Sequence, residues 1–357
     1  MMGRRGRFGP RSAATAAMVL TLTLMSLPAL VTGTSARSPI LPPGQPETGP
    51  GGVRRDYPAV ANRRIGDVPD GGWLFMPAAG DGEIATGPLP LTIFFHGYTA
   101  TDPGSYLGWI NHIARGRSIV FFPDYQGTDF AAQVTADYLP NAVAGVRSML
   151  DTVGSDGLPS VDRNRVNVVG HSLGGVLATG YAALAAQEGL PVPGVLMPVQ
   201  PGGCAGCGDT SDRLGAPFFD LKDVDPDTYA LVLVGDDDTV VGSVAARRIW
   251  DGLGHLASDR RDLVLFRTDL HGDPPLVADH LLPQTAGRFG EPDAFDYHGV
   301  WKLFDALVAC AHDGADCDVA LGSGDAQTAL GTWSDGTPVT PLIVSDDPDD
   351  ILTAEER

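Results

Sequence analysis

The chain has 357 residues, 43% of them hydrophobic, with 24 basic against 44 acidic side chains and a net charge of −20 at neutral pH. That length can bury a large core, and 46 Gly and 29 Pro without a G-X-Y period exclude collagen while implying many turns. A surface this acidic, whose only lysines are Lys222 and Lys302, repels phosphate backbones and anionic head groups, so nucleic acid is excluded as an expected partner.

The N-terminus reads as an export signal. Arg4, Arg5, Arg7 and Arg11 precede an apolar stretch from Ala13 to Val31, and Thr34 and Ala36 occupy the −3 and −1 places of a cut after Ala36. A single membrane anchor is the other reading. Pro28 and several Ser and Thr make the stretch weakly apolar for a span of about 20 residues, and no second stretch is long enough to cross a bilayer. Stable membrane insertion is therefore not expected, and the protein reads as secreted. Arg4-Arg5 loosely matches a twin-arginine signal.

Residues 37–56 are rich in Pro, Gly and Arg and read as a linker. Strands and helices then alternate. Apolar strand-like runs are expected at Trp73–Pro77, Leu89–Phe95, Ser118–Phe122, Arg165–Val169, Val195–Pro198, Tyr229–Val234 and Asp262–Arg267. Helical spacing is seen over 130–152, Gly175–Glu188, Val244–Leu253 and Phe295–Ala311. Continuously apolar strands flanked by helices imply an α/β fold with a mostly parallel sheet covered on both faces. One domain over 57–344 is expected, with no large cap, because only about 30 residues separate the strands at 195 and 229. Residues 345–357 read as an acidic, frayed tail.

Export shapes the reading of the four cysteines. Cys310 and Cys317 flank a turn-like Asp313-Gly314-Ala315-Asp316, and Cys204 and Cys207 sit in a Gly-rich loop. An even count in an oxidising compartment favours the pairs Cys310–Cys317 and Cys204–Cys207. A zinc site and a redox role for Cys204-Ala205-Gly206-Cys207 are the lesser alternatives.

Gly170-His171-Ser172-Leu173-Gly174-Gly175 contains G-x-S-x-G. Random composition alone supplies the pattern roughly 0.3 times per chain, so its force comes from context. It follows the strand-like Val166-Asn167-Val168-Val169 and runs into a helical stretch. A strand-to-helix turn this tight strains the serine backbone, excludes side chains two residues to either side, and lifts the Ser172 hydroxyl above the sheet edge. Ser172 is the expected nucleophile. His171 is expected to be scaffolding, because its side chain leaves the turn in another direction.

At these residues the chain resembles the α/β-hydrolase family, over about residues 60–312, and its Gly-His-Ser-Leu-Gly-Gly is similar to that of many lipases and esterases. The resemblance implies the order Ser, acid, His, and an oxyanion donor after the third strand. Phe94-Phe95-His96-Gly97-Tyr98 resembles that oxyanion loop, so the implied donors are the backbone N–H groups of Tyr98 and Leu173. Gly235-Asp236-Asp237-Asp238-Thr239-Val240-Val241 follows a strand, and Asp238 best matches the family's acid, with Asp236 as the alternative. Two histidines, His271 and His280, lie in the loop after the next strand. Ala278-Asp279-His280-Leu281-Leu282-Pro283 resembles the surroundings of the base in secreted cutinase- and polyester-hydrolase-like enzymes, which favours His280. His271 lies closer to the strand end and is the alternative base.

A serine hydroxyl needs an imidazole to take its proton and a carboxylate to orient that imidazole. The expectation is a secreted serine hydrolase that cleaves small-molecule or polymeric carboxylic esters through an acyl-enzyme, using no metal or organic cofactor. Acyl transfer, thioester hydrolysis or peptide hydrolysis on the same triad is the first alternative. A non-catalytic secreted binding protein with the same fold is the second. Trp109, Tyr125 and Trp250 read as core residues before cleft residues.

Overall fold

The computed structural model describes residues 38–352 except 130–132, 209–211 and 287–289. The expected export signal at 1–36 and residues 353–357 of the expected tail lie outside the described residues.

In chain order the elements are β1 (Ala59–Ile65), β2 (Gly72–Ala78), β3 (Pro88–Phe95), α1 (Leu107–Arg115), β4 (Ile119–Pro123), α2 (Tyr138–Thr152) and β5 (Ser160–His171). They continue with α3 (Leu173–Leu184), β6 (Val195–Val199), β7 (Tyr229–Gly235), α4 (Val244–Gly252) and β8 (Arg261–Phe266). A π-helical turn over Asp296–Val300 leads into α5 (Trp301–Asp313), followed by α6 (Cys317–Leu321), α7 (Asp325–Thr328), β9 (Ile343–Ser345) and α8 (Pro348–Ile351).

These nine strands form one α/β sheet in the order β1-β2-β4-β3-β5-β6-β7-β8-β9. The run from β4 to β8 is parallel, while β1, β2 and β9 pair antiparallel at the two edges. Strand periodicity divides the core between the two faces. Leu91, Ile93 and Phe95 of β3 and Val166 and Val168 of β5 pack with α2, α3 and α4. Phe94 and Val169 turn the other way, onto α1 and α5. Trp109, Tyr125 and Trp250 are buried, as expected of core residues.

The chain reverses its winding at β3. The helix α1 carries it to β4 on one side, and α2 brings it back to β5 on the other. A crevice opens at the carboxyl ends of strands where winding reverses, and here those ends are Phe95 of β3 and His171 of β5.

Two ends of the chain differ from expectation. Residues 39–56, read as a linker, lie along the body. The Gly51 N–H and the Arg55 guanidinium both donate to Asp305 of α5. Gly51 has φ +76°, and a Cβ there would meet the Tyr297 carbonyl oxygen at 1.9 Å, so only glycine fits this close approach. At the other end, β9 pairs with β8, Asp349 bridges to Arg247 of α4, and Leu352 is buried. The expected tail is therefore built into the body as far as Leu352.

Candidate active site

The strand β5 ends at His171 and the helix α3 begins at Leu173, so Ser172 alone makes the turn. Its backbone sits at φ 57°, ψ −124°, a region that costs a non-glycine residue about 1–3 kcal/mol. The flanking glycines have no alternative. A Cβ on Gly170 would lie 2.1 Å from the Gly174 carbonyl oxygen, and one on Gly174 would lie 2.3 Å from the carbonyl oxygens of Phe95 and His96. The end of β3, the end of β5 and the start of α3 thus pack backbone against backbone.

His280 Nε2 lies 3.0 Å from Ser172 Oγ, and His280 Nδ1 lies 2.8 Å from Asp238 Oδ2. The other carboxylate oxygen, Asp238 Oδ1, accepts from the N–H groups of Val240 and Val241 at 3.0 and 3.1 Å. Those two bonds fix the carboxylate plane, so the oxygen facing His280 is presented by the turn after β7. Ser172, Asp238 and His280 are all buried, with relative exposures of 8%, 7% and 9%. The structure therefore brings together the three residues that the sequence placed far apart.

The alternatives lie elsewhere. Asp236 accepts from the Thr268 N–H, and the Asp237 N–H donates to the Ala278 carbonyl. His271, the alternative base, pairs with Asp335 at 2.9 Å on the partly exposed rim and has no part in the Ser172 constellation. It sits nearer the end of β8, but the chain returns toward the elbow only after the bridge between Asp269 and Leu276.

The segment carrying His280 is held at three consecutive carbonyls. Ala278 accepts from Asp237 N–H at 3.2 Å, Asp279 from Gln200 Nε2 at 2.7 Å, and His280 from His171 Nε2 at 2.8 Å. These donors come from the ends of β7, β6 and β5. A long loop is thus pinned strand by strand across the sheet edge.

The expected oxyanion loop follows β3. Gly97 N–H donates to Tyr106 Oη at 3.0 Å, and a Cβ built on Gly97 would lie 3.5 Å from Ser172 Cβ. The loop therefore passes directly beside Ser172. Gly97 N–H is committed to Tyr106, and the next amide in the chain is that of Tyr98, whose half-buried ring packs on the α2–α3 core. Leu173 supplies the first N–H of α3, a position with no intrahelical acceptor. His96 is fully buried between the carbonyls of Gly97 and Asp124, and burial lowers its pKa to about 4.

The cysteines pair as expected. Cys204–Cys207 closes a tight turn in the loop after β6, with Cα atoms 5.4 Å apart. Cys310–Cys317 ties α5 to α6, with Cα atoms 4.7 Å apart. Among the described residues there is no cluster of three or more His, Cys, Asp or Glu side chains arranged to hold a metal ion. No described helix is long and apolar enough to cross a membrane. Tyr106 and Gln200 escape the sequence reading because their partners lie 65 and 79 residues away, and no local pattern marks them. No family model matches this chain, and no curated protein matches it either.

Proposed function

We propose that the protein is an exported serine hydrolase of carboxylic esters, built on the α/β-hydrolase fold. One observation carries the reading: the continuous hydrogen-bonded series Ser172 Oγ, His280 imidazole, Asp238 carboxylate, with the hydroxyl raised on a strained strand-to-helix turn. A plain Gly-Ser turn needs neither a buried imidazole nor a buried carboxylate.

The chemistry follows from the atoms. His280 Nε2 takes the hydroxyl proton as Ser172 Oγ bonds to the acyl carbon. The negative charge moves to the carbonyl oxygen, where this reading assigns the N–H groups of Leu173 and Tyr98 as donors, each worth about 3 kcal/mol in the transition state. The acyl C–O bond then breaks, and the proton on His280 passes to the departing alcohol. Water repeats the sequence and frees Ser172. Asp238 keeps the His280 proton on Nδ1 and stabilises the imidazolium between the two proton transfers.

Access favours bulky or polymeric esters. The described residues between β6 and β7 form only two 3-10 turns and the Cys204–Cys207 loop, with no helical lid. Two disulfides suit an oxidising compartment.

The test is covalent labelling with a fluorophosphonate beside a panel of ester, thioester and amide substrates. We expect labelling and ester turnover in the wild type, both abolished in Ser172→Ala. Absence of labelling overturns the reading, and amide turnover exceeding ester turnover moves the activity to the peptidase class.

A further inference from the structure

The two buried side chains that flank the elbow on the α1 side, Tyr106 and His171, have no part in the chemistry described above. Both are almost wholly buried, at 0% and 1% exposure. Tyr106 Oη lies 3.0 Å from Gly97 N and 2.8 Å from His171 Nδ1, and His171 Nε2 lies 2.8 Å from the His280 carbonyl oxygen. The ends of this series fix every proton within it. A backbone N–H can only donate, so Gly97 donates to Tyr106 Oη. A carbonyl can only accept, so His171 Nε2 carries a hydrogen. A neutral ring then has a bare Nδ1, which accepts from the Tyr106 hydroxyl. The neutral form is the one the site favours: burial, with the adjacent His280 adding to it, holds His171 well below the ordinary imidazole range.

We infer that Tyr106 and His171 are positioning residues. Their one-way chain of hydrogen bonds locks the backbone of the base, His280, to the backbone of the oxyanion loop at Gly97. The inference rests on the ester-hydrolase reading, because it assigns these residues to the geometry of that site.

Two consequences follow from the arrangement. The acceptor on the His280 carbonyl and the donor on Gly97 belong to segments 183 residues apart, and the elbow residue His171 joins them through a single tyrosine. The chain also consumes the Gly97 N–H, which removes that amide from the donors open to the oxyanion. Losing the Tyr106 hydroxyl frees Gly97 and empties the acceptor at His171 Nδ1, without removing any group that touches substrate.

The test uses the full exported chain and two readouts that a merely structural role does not move. The first is ¹⁵N NMR of the wild-type imidazoles at neutral pH, which should find His171 neutral with its hydrogen on Nε2. An imidazolium, or a hydrogen on Nδ1, overturns the inference without any mutation. The second is kinetic. Tyr106→Phe should lower kcat on a soluble ester on the order of 10- to 100-fold, the cost of a small misplacement of reacting groups, with KM little changed and fluorophosphonate labelling slowed in parallel. His171→Gln, which keeps a side-chain donor for the His280 carbonyl, should lose less than His171→Ala. If the His171 variants do not fold, Tyr106→Phe decides alone. Wild-type kcat in Tyr106→Phe overturns the inference while leaving the hydrolase reading intact. Wild-type protein that neither labels nor turns over ester overturns that reading, and with it the catalytic consequence of the chain.

Discussion

His280 Nε2 lies 3.0 Å from Ser172 Oγ although the two residues are 108 apart in the chain. That contact depends on Asp238, whose Oδ2 holds His280 Nδ1 while Oδ1 is bound by two backbone amides. Asp238→Asn should preserve the amide contacts through its carbonyl oxygen but turn an NH₂ toward His280. The imidazole then carries its hydrogen on Nε2 and cannot accept from serine. We expect kcat to fall by roughly 10⁴-fold with an unchanged fold, read from ester kinetics beside circular dichroism. A loss below tenfold removes Asp238 from the role of orienting acid.

How much of this was legible in the sequence depends on how local each signal is. Ser172 is legible because everything that makes the turn lies within six residues: the strand, two glycines and the helix start. The same holds for the buried strands, whose apolar runs cover both faces. β1 was not legible, because its Asn62-Arg63-Arg64 reads as loop while it pairs only at an edge. Residues 39–56 look like a spacer because Pro and Gly dominate them, and their attachment rests on distant partners such as Ser334, Asp273, His298 and Asp305. The choice between His280 and His271 was legible only through resemblance. What decides it physically is the pinning of carbonyls 278 to 280 by residues from three other strands, which no spacing rule reports.

Those pinned carbonyls make the two histidines separable by experiment. His280→Ala should abolish ester turnover and fluorophosphonate labelling. His271→Ala removes a rim hydrogen bond to Asp335, both side chains about one-third exposed, so activity and stability should both stay near wild type. Survival of His280→Ala with loss in His271→Ala reverses the assignment of the base.

Strain at Ser172 is measurable as stability. Ser172→Ala and Ser172→Gly both lose the hydroxyl and its contact with His280, so their difference isolates the backbone. Alanine keeps the strain of φ 57°, ψ −124°, about 1–3 kcal/mol, whereas glycine is unstrained there and loses roughly 0.5–1 kcal/mol through unfolded-chain entropy. Ser172→Gly should therefore be more stable than Ser172→Ala by about 1 kcal/mol in urea unfolding. Equal or lower stability of the glycine variant means the turn stores no strain.

Asp305 ties the N-terminal strap to the body. Its carboxylate accepts from Gly51 N–H, from both terminal nitrogens of Arg55 and from His112. Burial alone would raise its pKa, but His112 and Arg55 outweigh burial and hold the carboxyl well below the usual range. Asp305→Ala leaves a guanidinium without its partner in a largely buried place, and should cost about 3–5 kcal/mol. Limited proteolysis should then cut within residues 39–56 faster than in the wild type. Unchanged cleavage there means the strap is held by other contacts.

His96 supplies a pH dependence with a definite sign. The unfolded chain takes up a proton on this imidazole near its ordinary pKa of about 6.5, whereas burial delays uptake in the folded chain to about 4. Between those values the extra proton favours the unfolded state. The His96 contribution to stability is therefore whole above about 6.5 and falls by about 3 kcal/mol as pH drops to 4. Asp262 works against it over part of that window, since burial raises its carboxyl to about 6 and the folded chain keeps a proton the unfolded chain has lost. The bare pH profile mixes the two, so the comparison to make is wild type against His96→Gln. The variant has no imidazole to protonate, and the stability gap between the two proteins should narrow steadily from pH 7 to pH 4 in denaturant titrations. A gap that stays constant across that range means burial does not outweigh the Gly97 and Asp124 carbonyls, which favour the protonated ring of His96.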